Sequence, residues 1–241
     1  MRFAMPLIPA TLVRRYKRFL ADVVLSSGEE ITAHVANPGA MTGLAAPGTR
    51  VWLSKSSDPK RKLPYAWELA EVDFGGGVEL VGVNTAYPNR LVHEALIAGR
   101  IPECAGYPLL RREVRYGENS RVDFLLEGTD RPACYLEVKN VHLMRMPGLA
   151  EFPDSVTARG ARHMQELAAM AGAGARAVVL FLIQIGSAVR FAPAVDIDPA
   201  YAASLKAARA RGVEALAYTC AVTAEGISLG QRVPIVAAPA G

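Results

Sequence analysis

The chain has 241 residues, 51% of them apolar, with 27 Lys plus Arg against 23 Asp plus Glu and a formal charge of +4. This length and apolar content allow one large core or two small ones and exclude a disordered chain, while the mild basicity permits a polyanionic partner without requiring one. Cys104, Cys134 and Cys220 are odd in number and lack C-x-x-C spacing, so neither structural disulfides nor a zinc site is expected.

The opening stretch MRFAMPLIPATLVRRYKRF is broken by Pro6 and Pro9 and is too short in apolar residues for a secretory signal. No window approaches the roughly 18 uninterrupted apolar residues of a membrane span. The expectation is a protein of the reducing cytoplasm with no membrane partner. Up to about residue 85, short alternating runs are bounded by turn residues: FLADVVL before SSGEE, ITAHVAN before PGAMTGLAAPG, RVWLSKS before SDPKRK, YAWELAEVDF before GGG, and VELVGVNT. They predict five short strands, none long enough to bury a face alone. A small closed or nearly closed barrel of the OB type satisfies that; the alternative is an open antiparallel sheet leaning on the second half.

Beyond residue 85 the period lengthens. YPNRLVHEALIAGRIP sets Leu91, Val92, Ala95 and Leu96 on one helical face, with Pro88 near the start and Gly99 and Pro102 at the end. NSRVDFLLEGTDRPACYLEVKNV, residues 119–141, reads as a hairpin about the turn EGTDRP. FPDSVTARGARHMQELAAMAGAG predicts a second helix, capped by Ser155 or Thr157 and closed by the Gly-rich stretch 172–174. ARAVVLFLIQI is apolar enough to be buried on both faces in the middle of a sheet. DIDPAYAASLKAARARG predicts a third helix capped by Asp198 with Pro199 in its first turn, and VEALAYTCAVT a last strand. The second half is therefore α/β, and the chain divides into 1–84 and 85–241.

Charges interrupt the hairpin where a core strand would place another Val or Leu. Alternation puts Glu137 and Lys139 on one face while Cys134, Leu136 and Val138 pack on the other. A turn centred near residue 130 makes paired numbers sum to about 260, which sets Asp123 opposite Glu137. Two converging carboxylates repel unless a proton or cation intervenes, and oxygen ligands without His or Cys favour Mg²⁺ or Mn²⁺. A neighbouring lysine that orients or deprotonates an attacking water would complete a phosphodiester-hydrolysing group. The competing reading is a solvated strand face carrying a cross-strand ion pair.

RRYKRFLADV, NPGAMTGL, PKRKLPYAWEL, VGVNTAYPNRLVHEAL, YGENSRVDFLL, YLEVKNV, FPDSVTARGARHMQEL and GVEALAY together resemble the sugar fermentation stimulation protein A family, from about Pro6 to Ile235. The resemblance implies a mixed α/β protein: a small N-terminal OB-like β-barrel followed by a C-terminal PD-(D/E)xK nuclease-like α/β domain. It further implies DNA binding without sequence specificity. Carried over by position, it makes Asp123 and Glu137 metal-binding carboxylates and Lys139 the motif lysine, with Glu94 the candidate for the acidic residue that often joins from the first helix. Val122 stands where the motif's name has proline, a position that supplies no ligand. RNA remains possible as substrate, and the alternative function is a DNA-binding regulator of sugar metabolism that does not cut.

Other charges are read with two meanings. Arg159 and His163, four apart on one helix, could reach a scissile phosphate or be ordinary exposed charges. Arg121 could bind phosphate or pair with Asp123. In the barrel, Arg14, Arg15, Lys17, Lys60, Arg61 and Lys62 are the candidates for phosphate contact, near Tyr16, Phe19, Trp52, Tyr65 and Trp67. The two Trp read as barrel core. His142 and Asn140 are left outside the site, and NPGAMTGL carries turn chemistry with no phosphate-loop lysine.

Overall fold

The computed structural model describes residues 1–117 and 120–238; Asn119, the first residue of the expected hairpin, and residues 239–241 of the second domain lie outside the described residues. The N-terminal part contains β1 (Ile8–Tyr16), β2 (Leu20–Leu25), β3 (Glu30–His34), β4 (Arg50–Lys55), β5 (Tyr65–Asp73) and β6 (Val78–Gly82), in the order β3-β2-β1-β4-β5-β6. A parallel pairing of His34 with Ala66 joins β3 to β5 and closes β1 to β5 into a barrel, leaving β6 as an extension of β5.

Five strands close the barrel, but they are not the five predicted: β1 is added and β6 stands outside the closure. Pro9 hides β1 in the sequence, because proline removes a ladder donor. In the fold Pro9 pairs with Trp52 of β4, at a point where the pairing with β2, which begins at Ala10, has not started. The missing N–H therefore costs no bond on that side. Trp67 is fully buried and donates its indole N–H to the Leu69 carbonyl at 2.8 Å, while Trp52 is half-buried and bonds Glu71 at 2.9 Å.

The pairing chain Leu20 with His34 and His34 with Ala66 fixes which loops share a rim. The β1–β2 turn ends at Leu20 and the β4–β5 loop ends just before Ala66, so both emerge at the same end, two strand spacings or about 10 Å apart. That rim meets the second domain, where Met41 N donates to Asp154 at 2.9 Å; a separate contact comes from Glu79 of β6, paired with Val72 nearer the other end of β5, which accepts from the backbone N–H groups of Gly186 and Ser187 at 3.0 and 3.1 Å.

The second domain is a mixed six-stranded sheet, β15-β14-β12-β9-β8-β7, built from β7 (Leu109–Tyr116), β8 (Ser120–Glu127), β9 (Cys134–Val141), β12 (Arg176–Ile183), β14 (Glu214–Val222) and β15 (Ile227–Arg232). β9, β12 and β14 run parallel, and β12 lies between the other two with every residue after Arg176 buried. Its crossovers are α2 (Ala158–Gly172) and α3 (Pro199–Ala210), which pack on each other; α1 (Tyr87–Ile97) packs against β9 and β15. Thr157 and Asp198 cap α2 and α3 with bonds to the N–H groups of Gly160 and Tyr201 at 3.0 and 2.9 Å. A small sheet of β10 (Leu143–Met146), β11 (Leu149–Phe152) and β13 (Arg190–Pro193) completes the domain. The first residues of the chain leave the barrel: Arg2 bridges Gly226, and the Met1 ammonium reaches Glu94 of α1 at 2.7 Å.

Candidate active site

The hairpin takes the register expected of it, with Phe124, Leu125 and Leu126 paired to Leu136, Tyr135 and Cys134. The ladder stops there. One step further, where Asp123 would pair Glu137, β8 stays with β7 while β9 continues beside β12, so the strands fork. The Asp123 carboxylate fills the fork. Its Oδ2 accepts the Val138 N–H at 2.7 Å and its Oδ1 accepts from Asn89 Nδ2 at 2.7 Å. On the other side of β8 the β7 ladder also skips the pair between Glu113 and Asp123, and Glu113 adopts φ 53°, a left-handed value uncommon for a residue other than glycine. Backbone pairing is thus relaxed on both sides of Asp123, as is frequent at sites where strain re-aims a side chain.

Glu137 is only 3% exposed, so the solvated-face reading of this strand fails. Burial of an anion requires partners. Lys139 Nζ lies 2.8 Å from Glu137 Oε1, and His163 of α2 bonds the same oxygen through Nδ1. Arg159 donates Nε–H to His163 Nε2 at 3.2 Å, which makes Nε2 the acceptor and places the ring proton on Nδ1, facing Glu137. The α2 pair expected at four-residue spacing therefore converges on the site, with His163 buried and Arg159 exposed at the mouth.

Burial alone would raise the Glu137 carboxyl, but the His163 bond and the Lys139 charge outweigh it and hold the group below its ordinary range. Asp123 goes the other way: burial and the Glu137 charge push it up to about 6, against the Val138 and Asn89 bonds and Lys139. Two carboxyls driven apart in this way suit different protonation roles, or one shared cation.

Both carboxylates line a cavity of about 440 Å³ whose wall also carries Lys139, Arg112, Glu113 and Arg159. Glu137 Oε2 is buried with no hydrogen-bond partner among the described residues. An orphaned carboxylate oxygen beside a second carboxylate is a donor set that suits a hard divalent cation. No group of three or more His, Cys, Asp or Glu stands at ligand spacing among the described residues, so Asp123 and Glu137 would hold such an ion with water and substrate oxygens supplying the rest.

The first helix contributes differently from expectation. Glu94 turns away from the cavity to Met1 and Arg90, at 2.7 and 3.0 Å, and it is Asn89, at the start of α1, that reaches Asp123. Arg121 is exposed on β8 and does not line the cavity.

A second cavity, of about 650 Å³, opens at the domain junction and shares Thr85, Val138, Lys139, Asn140 and Thr157 with the first. Its floor holds His142, which bonds Asp154 at 3.0 Å and Asn140 at 3.2 Å, while Gln184 donates to Asn140 at 2.6 Å. Burial opposes the charge of Asp154, but His142, the Met41 N–H and Ser155 hold its carboxyl at about 2. His142 and Asn140 thus belong to the domain junction. Of the barrel cations, Arg15 spends its guanidinium on the carbonyls of Arg18, Asn37, Gly39 and Ala40 at 2.8–3.2 Å, a bracing role in place of the expected phosphate contact. Arg14 pairs with Asp22 at 2.8 Å and lies over Tyr16, whereas Lys17, Lys60, Arg61 and Lys62 are exposed.

Residues 13–83 match the model of the SfsA N-terminal OB domain, and residues 86–226 that of the sugar fermentation stimulation protein RE domain. The chain is 60% identical over 236 residues to the sugar fermentation stimulation protein homolog of Azorhizobium caulinodans, covering 98% of this chain and 100% of that protein. The homolog from Rhodospirillum centenum is 59% identical over 237 residues, again with 98% and 100% covered. Among solved structures, Pyrococcus furiosus SfsA in complex with Ca²⁺ superposes with a TM-score of 0.85 at 26% identity, covering 98% of each chain.

Proposed function

The chain belongs to the sugar fermentation stimulation protein family, and from that premise we propose that it binds nucleic acid, DNA foremost, and hydrolyses phosphodiester bonds with a divalent ion held by Asp123 and Glu137. One observation carries the reading: a buried Glu137, held ionised by His163 and Lys139 and with its second oxygen unpartnered among the described residues, lines one open cavity with Asp123. The relative from Pyrococcus furiosus, solved with Ca²⁺, supports a divalent-cation site in this fold. Mg²⁺ or Mn²⁺ bound there would stabilise charge developing on the phosphate.

The chain's own residues divide the remaining work. Lys139, anchored on Glu137, presents its ammonium to an attacking water and holds or releases a proton there. Arg159, fixed by its bond to His163, and Arg112, which also lines the cavity, meet the phosphate oxygens. Asn89 and the Val138 N–H aim Asp123, and His163 keeps Glu137 an anion.

Labelled DNA and RNA incubated with and without Mg²⁺ or Mn²⁺ test this directly. Lys139→Ala keeps both carboxylates, so metal and DNA binding persist while hydrolysis falls about a hundredfold or more, the usual scale for one general acid–base group. No metal-dependent cleavage of any substrate by the wild type, with DNA binding intact, would leave a non-cleaving DNA-binding regulator as the function.

A further inference from the structure

The β1–β2 turn, residues 17–19, is built under strain. Lys17 and Arg18 both take left-handed φ values, 48° and 62°, although neither is glycine. Such backbone persists only where its surroundings over-determine it. Here Arg15 supplies the constraint, donating from Nε and Nη2 to the Arg18 carbonyl at 3.2 and 2.8 Å. The same guanidinium reaches the carbonyls of Asn37, Gly39 and Ala40, so the turn is locked to the loop that walls the junction cavity.

The locked turn presents two cations and an aromatic ring that the fold does not use. Arg18 lines the junction cavity and makes no side-chain ion pair among the described residues. Phe19 is 46% exposed, and on the cavity wall Val156 is 76% exposed. Exposed apolar groups beside unpaired cations, at a fixed position, are the components with which OB-type barrels hold unpaired strands: a ring for the base and a charge for the backbone. The cavity, about 650 Å³, has the scale of pockets that enclose a small molecule and adjoins the candidate catalytic cavity, with which it shares Thr85, Val138, Lys139, Asn140 and Thr157.

We propose that the β1–β2 turn and the junction cavity together form a subsite for an unpaired nucleotide, with Phe19 stacking on its base and Arg18 meeting its phosphate, so that the substrate is a single strand or an unpaired end. This rests on the nucleic-acid reading above. The strand leaves the subsite across Lys139 and Asn140 toward Asp123 and Glu137. A base inside a duplex is stacked on both faces and offers none to Phe19, which gives the site its preference.

The test is fluorescence anisotropy with one labelled oligonucleotide, offered as a single strand and as its blunt duplex, in EDTA so that cleavage plays no part. The wild type binds the single strand more tightly. Phe19→Ala lowers the ratio of duplex to single-strand dissociation constants about tenfold, the scale of one lost base–aromatic stack; Phe19→Trp keeps or increases it. Arg18→Ala weakens single-strand binding and reduces its salt dependence. Both side chains are exposed, and thermal unfolding checks that the fold is unchanged. A wild-type ratio near one, or a ratio that Phe19→Ala leaves in place, overturns the subsite while nucleic-acid binding stands. Failure to bind either form overturns both this proposal and the reading beneath it.

Discussion

Asp123 sits under opposed demands, since the fork between β8 and β9 gives it two hydrogen bonds yet surrounds its charge with buried protein and the Glu137 anion. Its carboxyl rises from the ordinary 3.8 to about 6. The folded value lies above the unfolded one, so this group's contribution favours the metal-free fold below about pH 4 and is lost as pH rises through 6. That rise corresponds to about 3 kcal/mol. Asp123→Asn removes the buried charge, and the Asn89 amide can turn to match the new donor. Thermal unfolding in EDTA at pH 8 should therefore show the variant several degrees more stable than the wild type, at about 2–4 °C per kcal/mol for a chain of this size, with the gap closing near pH 4. An equal melting temperature at both pH values would mean that burial does not strain this carboxyl. Mn²⁺ affinity of the wild type, read by calorimetry, should weaken about tenfold per unit as pH falls below 6, because the ion must displace the Asp123 proton.

Between elements, Gly39 is a tight fit at the junction, where an added Cβ would run into the Asp154 carboxylate. Gly39 also gives its carbonyl to Arg15 and its N–H to Asn37, both at 2.8–2.9 Å, so the loop has little room to retreat. Gly39→Ala should cost about 1–3 kcal/mol, as overpacking does, and cost less when Asp154→Ala has removed the obstacle. Urea unfolding of the four proteins of that cycle measures the coupling, and simple additivity would show that the contact yields freely. The elements meeting here differ in how far the sequence discloses them. The β8–β9 register follows from the turn centre, because a period of two leaves one solution that buries Leu136 and Val138; the cap of α3 follows from Asp198, and that of α2 is narrowed to Ser155 or Thr157, of which Thr157 makes the bond. β1 is hidden by Pro9, and β7 by charges at an edge whose faces are largely exposed. Helical periodicity identifies the apolar face of α1 but not which polar neighbour overhangs the fork, hence Asn89 in place of Glu94. The bond from His142 to Asp154 links β9 to the loop after β11, a proximity that no local pattern encodes.

Over the whole molecule, a formal charge of +4 on 241 residues is too small to steer a polyanion by itself, so binding must come from where the cations stand. The barrel pairing brings the turn of Lys17 and Arg18 and the loop of Lys60, Arg61 and Lys62 to one rim, and that rim is seated on the second domain beside the junction cavity. Lys60, Arg61 and Lys62 are exposed and form no ion pair among the described residues. A strand lying from that loop across the turn to Asp123 and Glu137 would pass each cation in turn and release counterions at each. Neutralising Lys60, Arg61 and Lys62 together should then shallow the log–log dependence of affinity on salt by about one to three, at roughly 0.9 per phosphate contact on a duplex and 0.7 on a single strand. Lys139→Ala changes a group already paired with Glu137 and should leave that slope nearly as it was, which separates the delivery of nucleic acid from its chemistry. If removing the three loop charges left the slope untouched, the path would run over Arg112 and Arg159 on the second domain alone, and the barrel would serve only to brace the cleft.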